Sequence, residues 1–552
     1  MPVAVLPRFA ARLVTRLAAR LPHARRAAKL CAALAAIATF SACSNPSPTR
    51  DAHTSVDTVA LFPIANYDQN VDHWLEPDSP GYDRPFLSPA DQQAHFSALY
   101  AHYFGTGTTA PSPWNPAYVA MRVYRQQGAD IVALQQRRID KFDNTGKSGA
   151  ALGYGENFRP HDKAWIDAIA RNMELGQFTQ AAAYQPERRA IATSNLMVRE
   201  LPTTDPSFYD HHLAGEGYPF DNLQISAVRP GTPLYVLGSS VDGAWRYVQT
   251  PDVQGWVRSE GVGLTDGIFV DTWRAAAKSL GAVIVASAPV RDSRGVFRFD
   301  APAGTLLPLA PDNATRPAPH ANQPASEAAD SPAARKLFVP ARDVDGHAII
   351  RTAQLSDAQI APMPLAATPR HLAMLMKTLI GRPYGWGNSG LYNDCSSELQ
   401  SIFAAFGVWL PRHSSTQMSA GRMIDLSAST PAQRLDYLAQ HGEPLRTLIY
   451  IGGHVMLYIG NTSRNGIAVP VVYQDVWGLR PADNSRRAVI GGSVILPLFE
   501  HIPEDATLQS LAATPTFQIS ILGAPGGGAA TPSPPSTPST PAAPPDDDNP
   551  AG

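Results

Sequence analysis

Gly381-Arg382-Pro383-Tyr384-Gly385-Trp386-Gly387, followed by Asn393-Asp394-Cys395-Ser396-Ser397, opens the stretch on which the reading of this chain turns. Beyond Cys395, apolar residues recur at Leu399, Ile402, Phe403 and Phe406, the i, i+3, i+4, i+7 spacing of a buried helix face. Asn393 or Asp394 can cap that helix and Gly407 can end it. Cys395 therefore falls in the first helical turn. There, unsatisfied amides and the helix dipole favour a thiolate, drawing the thiol pKa from about 8.5 to roughly 3.5–7.5 once a base is near. A base lies downstream. Leu448-Ile449-Tyr450-Ile451 reads as a strand, Gly452-Gly453 as a tight turn, and His454 opens a second strand through Ile459. A histidine in that position suits a general base that takes the thiol proton. A third strand, Val471 to Gly478, carries Gln474 and Asp475, either of which can orient the imidazole through its other nitrogen. The two point to opposite faces, so alternation does not choose between them.

Composition bounds the rest. A chain of 552 residues holds about three to four domains. Apolar residues at 44% suffice for several cores, while 51 prolines point to linkers, tails and strand-rich domains. With 45 basic against 47 acidic residues the net charge is −2, which gives no general pull toward nucleic acid. The three cysteines, Cys31, Cys43 and Cys395, are too few for a disulfide-stapled fold, and no zinc-type spacing is present.

Residues 1–29 carry seven basic and no acidic residues, and an 11-residue apolar run, Leu30 to Phe40, follows. That run is too short to span a bilayer, and Phe40-Ser41-Ala42-Cys43 completes the pattern of an export signal. The small residues before Cys43 resemble a lipobox, with Phe40 in place of the usual leucine. Lipid attachment at Cys43 is expected, which leaves Cys395 as the one free thiol of an exported protein.

From Ala60 to Tyr184 the chain reads as α-rich, with helices at Asp91–Phe104 and Pro116–Lys141. Short strand-like runs separated by turn signals follow from Arg189 and suggest a small β-barrel ending at Gly255-Trp256-Val257. A second β-type segment runs from about Ala282 to Thr352. It is interrupted by Asp312–Ala334, whose composition predicts a disordered insertion, and Ala524–Gly552 predicts a disordered tail.

The order Pro-Tyr-x-Trp-Gly, Asp-Cys-Ser, Leu410-Pro411-Arg412-His413-Ser414 with Gln417, and Gly453-His454-Val455-x-Leu457-Tyr458-Ile459-Gly460 resembles the NlpC-type papain-like peptidases of bacterial cell walls. Gly215 to Gln224, Asp242-Gly243-Ala244-Trp245 and Gly255-Trp256-Val257 resemble the first of two bacterial SH3-like modules that precede the catalytic domain in one subgroup. The resemblance implies a multidomain α+β chain. Its parts are a lipoprotein-type signal peptide at 1–42, a tether at 43–59 and an α-rich stabilising domain at 60–188. SH3-like β-barrels follow at 189–275 and 276–362, the second with its insertion at 312–334. A papain-like catalytic domain at 363–505 and the tail at 524–552 complete it.

The resemblance further implies Cys395 as nucleophile, His454 as base and Gln474 as the third, polar residue, where these enzymes often have histidine. Tyr384 would help hold the oxyanion, and Asp394, Ser396, Arg412, His413 and Ser414 would border the substrate. Relatives acting on freed stem peptides tend to have aspartate where His413 stands, so acceptance of stem peptides still attached to glycan is expected. Ser397 and Glu398 are expected on an exposed helix face. The implied partners are peptidoglycan stem peptides and a membrane reached through the lipid anchor, with a monomer and no metal or organic cofactor required. The anchor is expected on the outer membrane facing the periplasm. The SH3-like modules would wall one side of the groove. Other classes are a non-catalytic wall-binding lipoprotein and an amidase on the same fold.

Overall fold

The computed structural model describes residues 59–523 apart from 181, 212, 214–216 and 312–333. The expected signal peptide, Cys43, nearly all of the tether, Gly215-Glu216 of the barrel motif, the insertion up to 333 and the C-terminal tail lie outside the described residues. Ala334, placed at the end of the insertion, is the first residue of a strand. Among the described residues no helix is long and apolar enough to cross a membrane.

The N-terminal part is helical where its caps predict. Ser88 accepts from the Asp91 amide and starts Pro89–Phe104, and Asp162 accepts from the Trp165 amide and starts Lys163–Met173. The expected helix Pro116–Lys141 is broken instead. A short turn of helix ends near Tyr124, Gln126, Gln127 and Gly128 all take positive φ, and the helix resumes at Ala129–Phe142. At the break the chain runs close against another segment: a Cβ on Gly128 would sit 2.2 Å from the Phe178 carbonyl oxygen. Only glycine permits the chain to pass so close.

The first barrel is a seven-stranded sheet in the spatial order Gln224–Val228, Leu196–Arg199, Gln254–Arg258, Trp245–Gln249, Pro233–Ser239, Arg189–Ala192, Val262–Leu264. One face of it shares a core with the helices. Ile131, Ile139, Ile166, Ile169 and Phe178 pack against Tyr235, Tyr247 and Trp256, and the Trp256 indole donates to Gln135 Oε1 at 2.8 Å. The second barrel is built from hairpins Ser287–Arg291 with Phe297–Pro302 and Ala334–Arg342 with Ala348–Ser356. Leu280–Val283, paired to Leu306–Pro308 and Ile360–Pro362, completes it.

In the C-terminal part a seven-stranded sheet runs Val59–Leu61, Arg487–Pro497, Ile467–Leu479, Val455–Arg464, Thr447–Tyr450, Gln518–Ile521, Arg422–Asp425. It reaches beyond residues 363–505 at both ends of the described chain. Gln518–Ile521 pairs with Thr447–Tyr450 inside the sheet, and Val59–Leu61 adds a parallel edge strand. The helix Cys395–Ala405 lies against this sheet with Leu399, Ile402, Phe403 and Phe406 at 0% exposure, joined in one core to Val455, Leu457, Tyr473 and Ile495. Gly407, at φ 78°, turns the chain away beside Phe96.

Phe178 tests the shared core of helices and first barrel. Its ring meets Tyr247 edge-on at 5.4 Å. Phe178→Ala is expected to cost about 3–5 kcal/mol. In urea, helical circular dichroism and tryptophan fluorescence should shift together; two separated transitions would show that the parts fold independently.

Candidate active site

Three strands and one helix end converge at Cys395. The helix begins there because Asp394 closes a capping box: its Oδ1 accepts from the Ser397 amide at 3.0 Å, and Ser397 Oγ accepts from the Asp394 amide at 2.8 Å. Asp394 is in turn gripped by Arg412, whose Nη1 and Nη2 reach its two oxygens at 3.1 and 2.5 Å. Arg412 Nη1 also donates to Ser396 Oγ at 2.8 Å, and its Nε donates to Ser226 Oγ at 2.8 Å. Ser226 belongs to the first barrel. A second tie from that barrel, Gln224 Nε2 to the Gly387 carbonyl at 2.9 Å, holds the loop before the helix. Gly387 has φ 56°, and a Cβ there would lie 2.6 Å from the Gln224 carbonyl oxygen.

Asp394, Ser396 and Arg412 are 4–7% exposed, as Cys395 is at 6%, and their polar groups bond one another around the helix end that carries it. Burial alone would raise the Asp394 carboxyl, but the Arg412 guanidinium and the cap hydrogen bonds outweigh it and hold the group ionised. His413 and Ser414 lie half-buried on the following turn, where the His413 carbonyl accepts from the Gln417 amide at 3.1 Å. Gln417 Nε2 braces the Ser396 carbonyl at 2.9 Å.

His454 comes immediately before its strand, which begins at Val455, because Gly452 and Gly453 at φ 78° and 86° turn the chain first. The Val455 amide hydrogen-bonds the Cys395 sulfur, bringing the histidine loop to the helix end. His454 Nε2–H donates to Gln474 Oε1 at 2.7 Å, which leaves Nδ1 as the basic nitrogen. Of Gln474 and Asp475, Gln474 is the one that hydrogen-bonds His454. Asp475 is 1% exposed and neither of its oxygens has a hydrogen-bond partner. Burial, with Glu398 and Asp394 nearby, pushes its carboxyl well up.

The exposed face expected for Ser397 and Glu398 is also corrected: both are 1% exposed. Glu398 accepts from Ser493 Oγ at 2.8 Å, from Asn393 Nδ2 at 2.6 Å and from the Tyr473 hydroxyl. An acid at a helix position where an apolar residue is usual was the available signal of a buried polar network. Nothing in the sequence pointed to Ser226.

The resting electrostatics differ from a simple helix-dipole picture. Burial and the Asp394 carboxylate push the Cys395 thiol up to about 12, and burial pulls the His454 imidazole down to about 4. The helix end already carries a carboxylate, so its dipole is not free to hold a thiolate. At pH 7 the pair is thiol and neutral imidazole. Tyr384, half-buried near Cys395, is likewise pushed well above 10 by burial and remains a hydroxyl donor.

Two outcomes follow. The rate of Cys395 alkylation by iodoacetamide should climb steadily from pH 7 to 9, since thiolate increases with pH below the raised pKa. A plateau from pH 5 upward, with thiolate absorbance at 240 nm, would contradict the neutral pair. Replacing Arg412 with leucine strands Asp394 as a buried charge and should cost about 3–5 kcal/mol in urea unfolding. Ser226→Ala removes one hydrogen bond to a charged group and should cost about 1.5–3 kcal/mol.

Comparison with known proteins finds similarity over the segments that build this geometry. Residues 381–482 match the model of the NlpC/P60 family, residues 206–258 an SH3 domain of SH3b1 type, and residues 266–314 an SH3 domain of SH3b2 type. Over 89 residues the chain is 33% identical to the gamma-D-glutamyl-L-lysine dipeptidyl-peptidase of Bacillus subtilis (strain 168), covering 16% of this chain and 30% of that one. Over 118 residues it is 30% identical to a protein of Corynebacterium glutamicum (strain R) named "Probable endopeptidase", covering 21% of this chain and 54% of that one. The chain thus spans between about a third and a half of the curated relatives it matches. The solved structure of an NlpC/P60 endopeptidase from Photobacterium damselae subsp. piscicida superposes with a TM-score of 0.68 at 24% identity, over 84% of this chain and 99% of that one, and shares its fold. Cys395 and His454 both lie inside the segment that matches the NlpC/P60 family model, behind the two segments that match bacterial SH3 domains.

Proposed function

We propose that this protein is a peptidoglycan-degrading cysteine endopeptidase that cleaves stem peptides at the γ-D-glutamyl–diamino-acid bond. The observation that carries the reading is the His454 Nε2 to Gln474 Oε1 hydrogen bond of 2.7 Å beside a cysteine sulfur held by the next amide, that of Val455. The imidazole is fixed in the tautomer a base requires. In the reaction, Cys395 Sγ bonds to the carbonyl carbon of D-glutamate's side chain as its proton passes to His454 Nδ1. The oxyanion lies toward the Cys395 amide and the Tyr384 hydroxyl. His454 returns the proton to the leaving amine as the C–N bond breaks, leaving a thioester. Water, deprotonated by the same nitrogen, then releases the glutamate carboxylate and the thiol. Because thiol and imidazole are both neutral at rest, proton transfer accompanies attack. Gln474 orients the imidazole but supplies no charge to stabilise imidazolium, so a modest turnover is expected.

The bond assignment is supported by the 33%-identical relative, whose name specifies a γ-D-glutamyl linkage. The position of His413, where an aspartate would pair with a free amine, favours stem peptides still joined to glycan. The reading includes export, lipid attachment at Cys43 and anchoring at the outer membrane facing the periplasm; loss of detergent-phase partitioning in Cys43→Ser tests that part.

The central test is mass spectrometry of muropeptides incubated with the protein beside Cys395→Ala. New fragments ending in γ-D-glutamate, absent with the variant, are expected. His454→Ala should lower kcat by roughly 10²–10⁴-fold. Unchanged muropeptides together with retention on intact sacculi would replace the enzyme with a wall-binding lipoprotein, and cleavage before L-alanine would make it an amidase.

A further inference from the structure

Five aromatic side chains are more than a third exposed among the described residues: Phe158, Tyr218, Phe297, Trp386 and Tyr392. Four of them belong to one neighbourhood. Trp386 and Tyr392 stand on the loop that runs into Cys395, and Trp386 meets Phe220 at 5.5 Å. Phe220 is buried and also braces Trp477 at 4.9 Å and Tyr384 at 6.3 Å, so Trp386 is two ring contacts from the tyrosine beside the nucleophile. Two residues before Phe220 stands Tyr218, 61% exposed, its ring 5.8 Å from Phe158. Phe158 holds φ 52°, a conformation costly for any residue with a Cβ.

We infer that this strip is a sugar-binding platform that takes the N-acetylhexosamine rings of the glycan strand from which the stem peptide hangs. The inference rests on the proposed substrate and adds to it a second point of attachment. Its chemistry is that of a pyranose: a flat ring whose C–H face stacks on an aromatic face while its hydroxyls stay in water. The exposed rings suit such a ligand because buried partners hold them edge-to-face, at 66° both for Phe220–Trp386 and for Phe208–Tyr218. They stand exposed on the helical part, the first barrel and the catalytic loop, rather than inside an enclosed apolar pocket for a protein side chain. Reach also agrees. Two amino acids, on the order of 7 Å of extended chain, separate the sugar from the carbonyl that Cys395 would attack. A glycan whose peptide enters the site must therefore pass within a few ring widths of Tyr384, where Trp386 lies. The barrel that walls the groove would then hold glycan instead of merely excluding it.

The experiment uses the full chain carrying Cys395→Ala, titrated with peptide-free N-acetylglucosamine tetramer by tryptophan fluorescence and calorimetry. Saturable binding is expected, weakened about five-fold by Trp386→Ala and by Tyr218→Ala, and largely restored by Trp386→Phe. In the active protein, Trp386→Ala should lower the ratio of cleavage of disaccharide-linked peptide to cleavage of the bare peptide. Absence of binding by the parent chain, or binding that both alanine variants leave unchanged while their circular dichroism is native, would overturn the platform. The binding arm needs no turnover, so its failure is distinct from failure of the endopeptidase, which bare-peptide hydrolysis reads alone.

Discussion

The buried Asp394–Arg412 ion pair is the constraint on which the rest of the site depends. Asp394 starts the helix that presents Cys395, so the nucleophile's position follows from where that carboxylate is held. A charge at 7% exposure is stable only with an opposite charge and satisfied hydrogen bonds, and Arg412 supplies the first while the Ser397 amide and Ser396 hydroxyl supply the second. Arg412 has its own requirement. Its third nitrogen donates to Ser226 of the first barrel, so the catalytic helix is tied through two side chains to a separate module.

That tie explains why helical part, barrel and catalytic domain are assembled tightly. Gln224 and Ser226 reach the catalytic loop from one strand, and Asp252 of the same barrel accepts from Gln400 on the nucleophile helix at 3.1 Å. The opposite face of the barrel is filled by the N-terminal helices through Phe178 and Trp256. The barrel is therefore a rigid middle layer, and its loop carrying Tyr218 and Phe220 is set against the mouth of the site.

The same burial that gives precision also sets the chemistry. A thiol pushed to about 12 and an imidazole pulled to about 4 cannot exist as a resting ion pair, whereas a cysteine protease with a solvated helix end can hold one. Asp475 and Glu398 behind the site are both raised by burial, Asp475 also by repulsion from Glu398 and Asp394. Gln474 fits these surroundings: a neutral acceptor fixes the tautomer without adding a further buried charge.

Much was legible in the residue order. The i, i+3, i+4, i+7 run after Cys395, the cap at Asp394, the glycine pair before His454 and the strand signals of the first barrel all depend on local periodicity and turn chemistry. Local rules failed where the cause was distant in sequence. The helix expected through Gly128 breaks where that glycine passes against the Phe178 carbonyl some fifty positions on, and Glu398, expected at the surface, is covered by Tyr473 and Ser493. The thiol pKa was misjudged because the helix dipole is a local property and burial is not. By itself, then, the sequence determined the helix that presents Cys395 and the strands beside His454 and Gln474. Only the tertiary structure decided that Gln474 rather than Asp475 meets His454, that Arg412 answers to Ser226, and that Trp386 meets Phe220, because packing brings together side chains that no spacing along the chain relates.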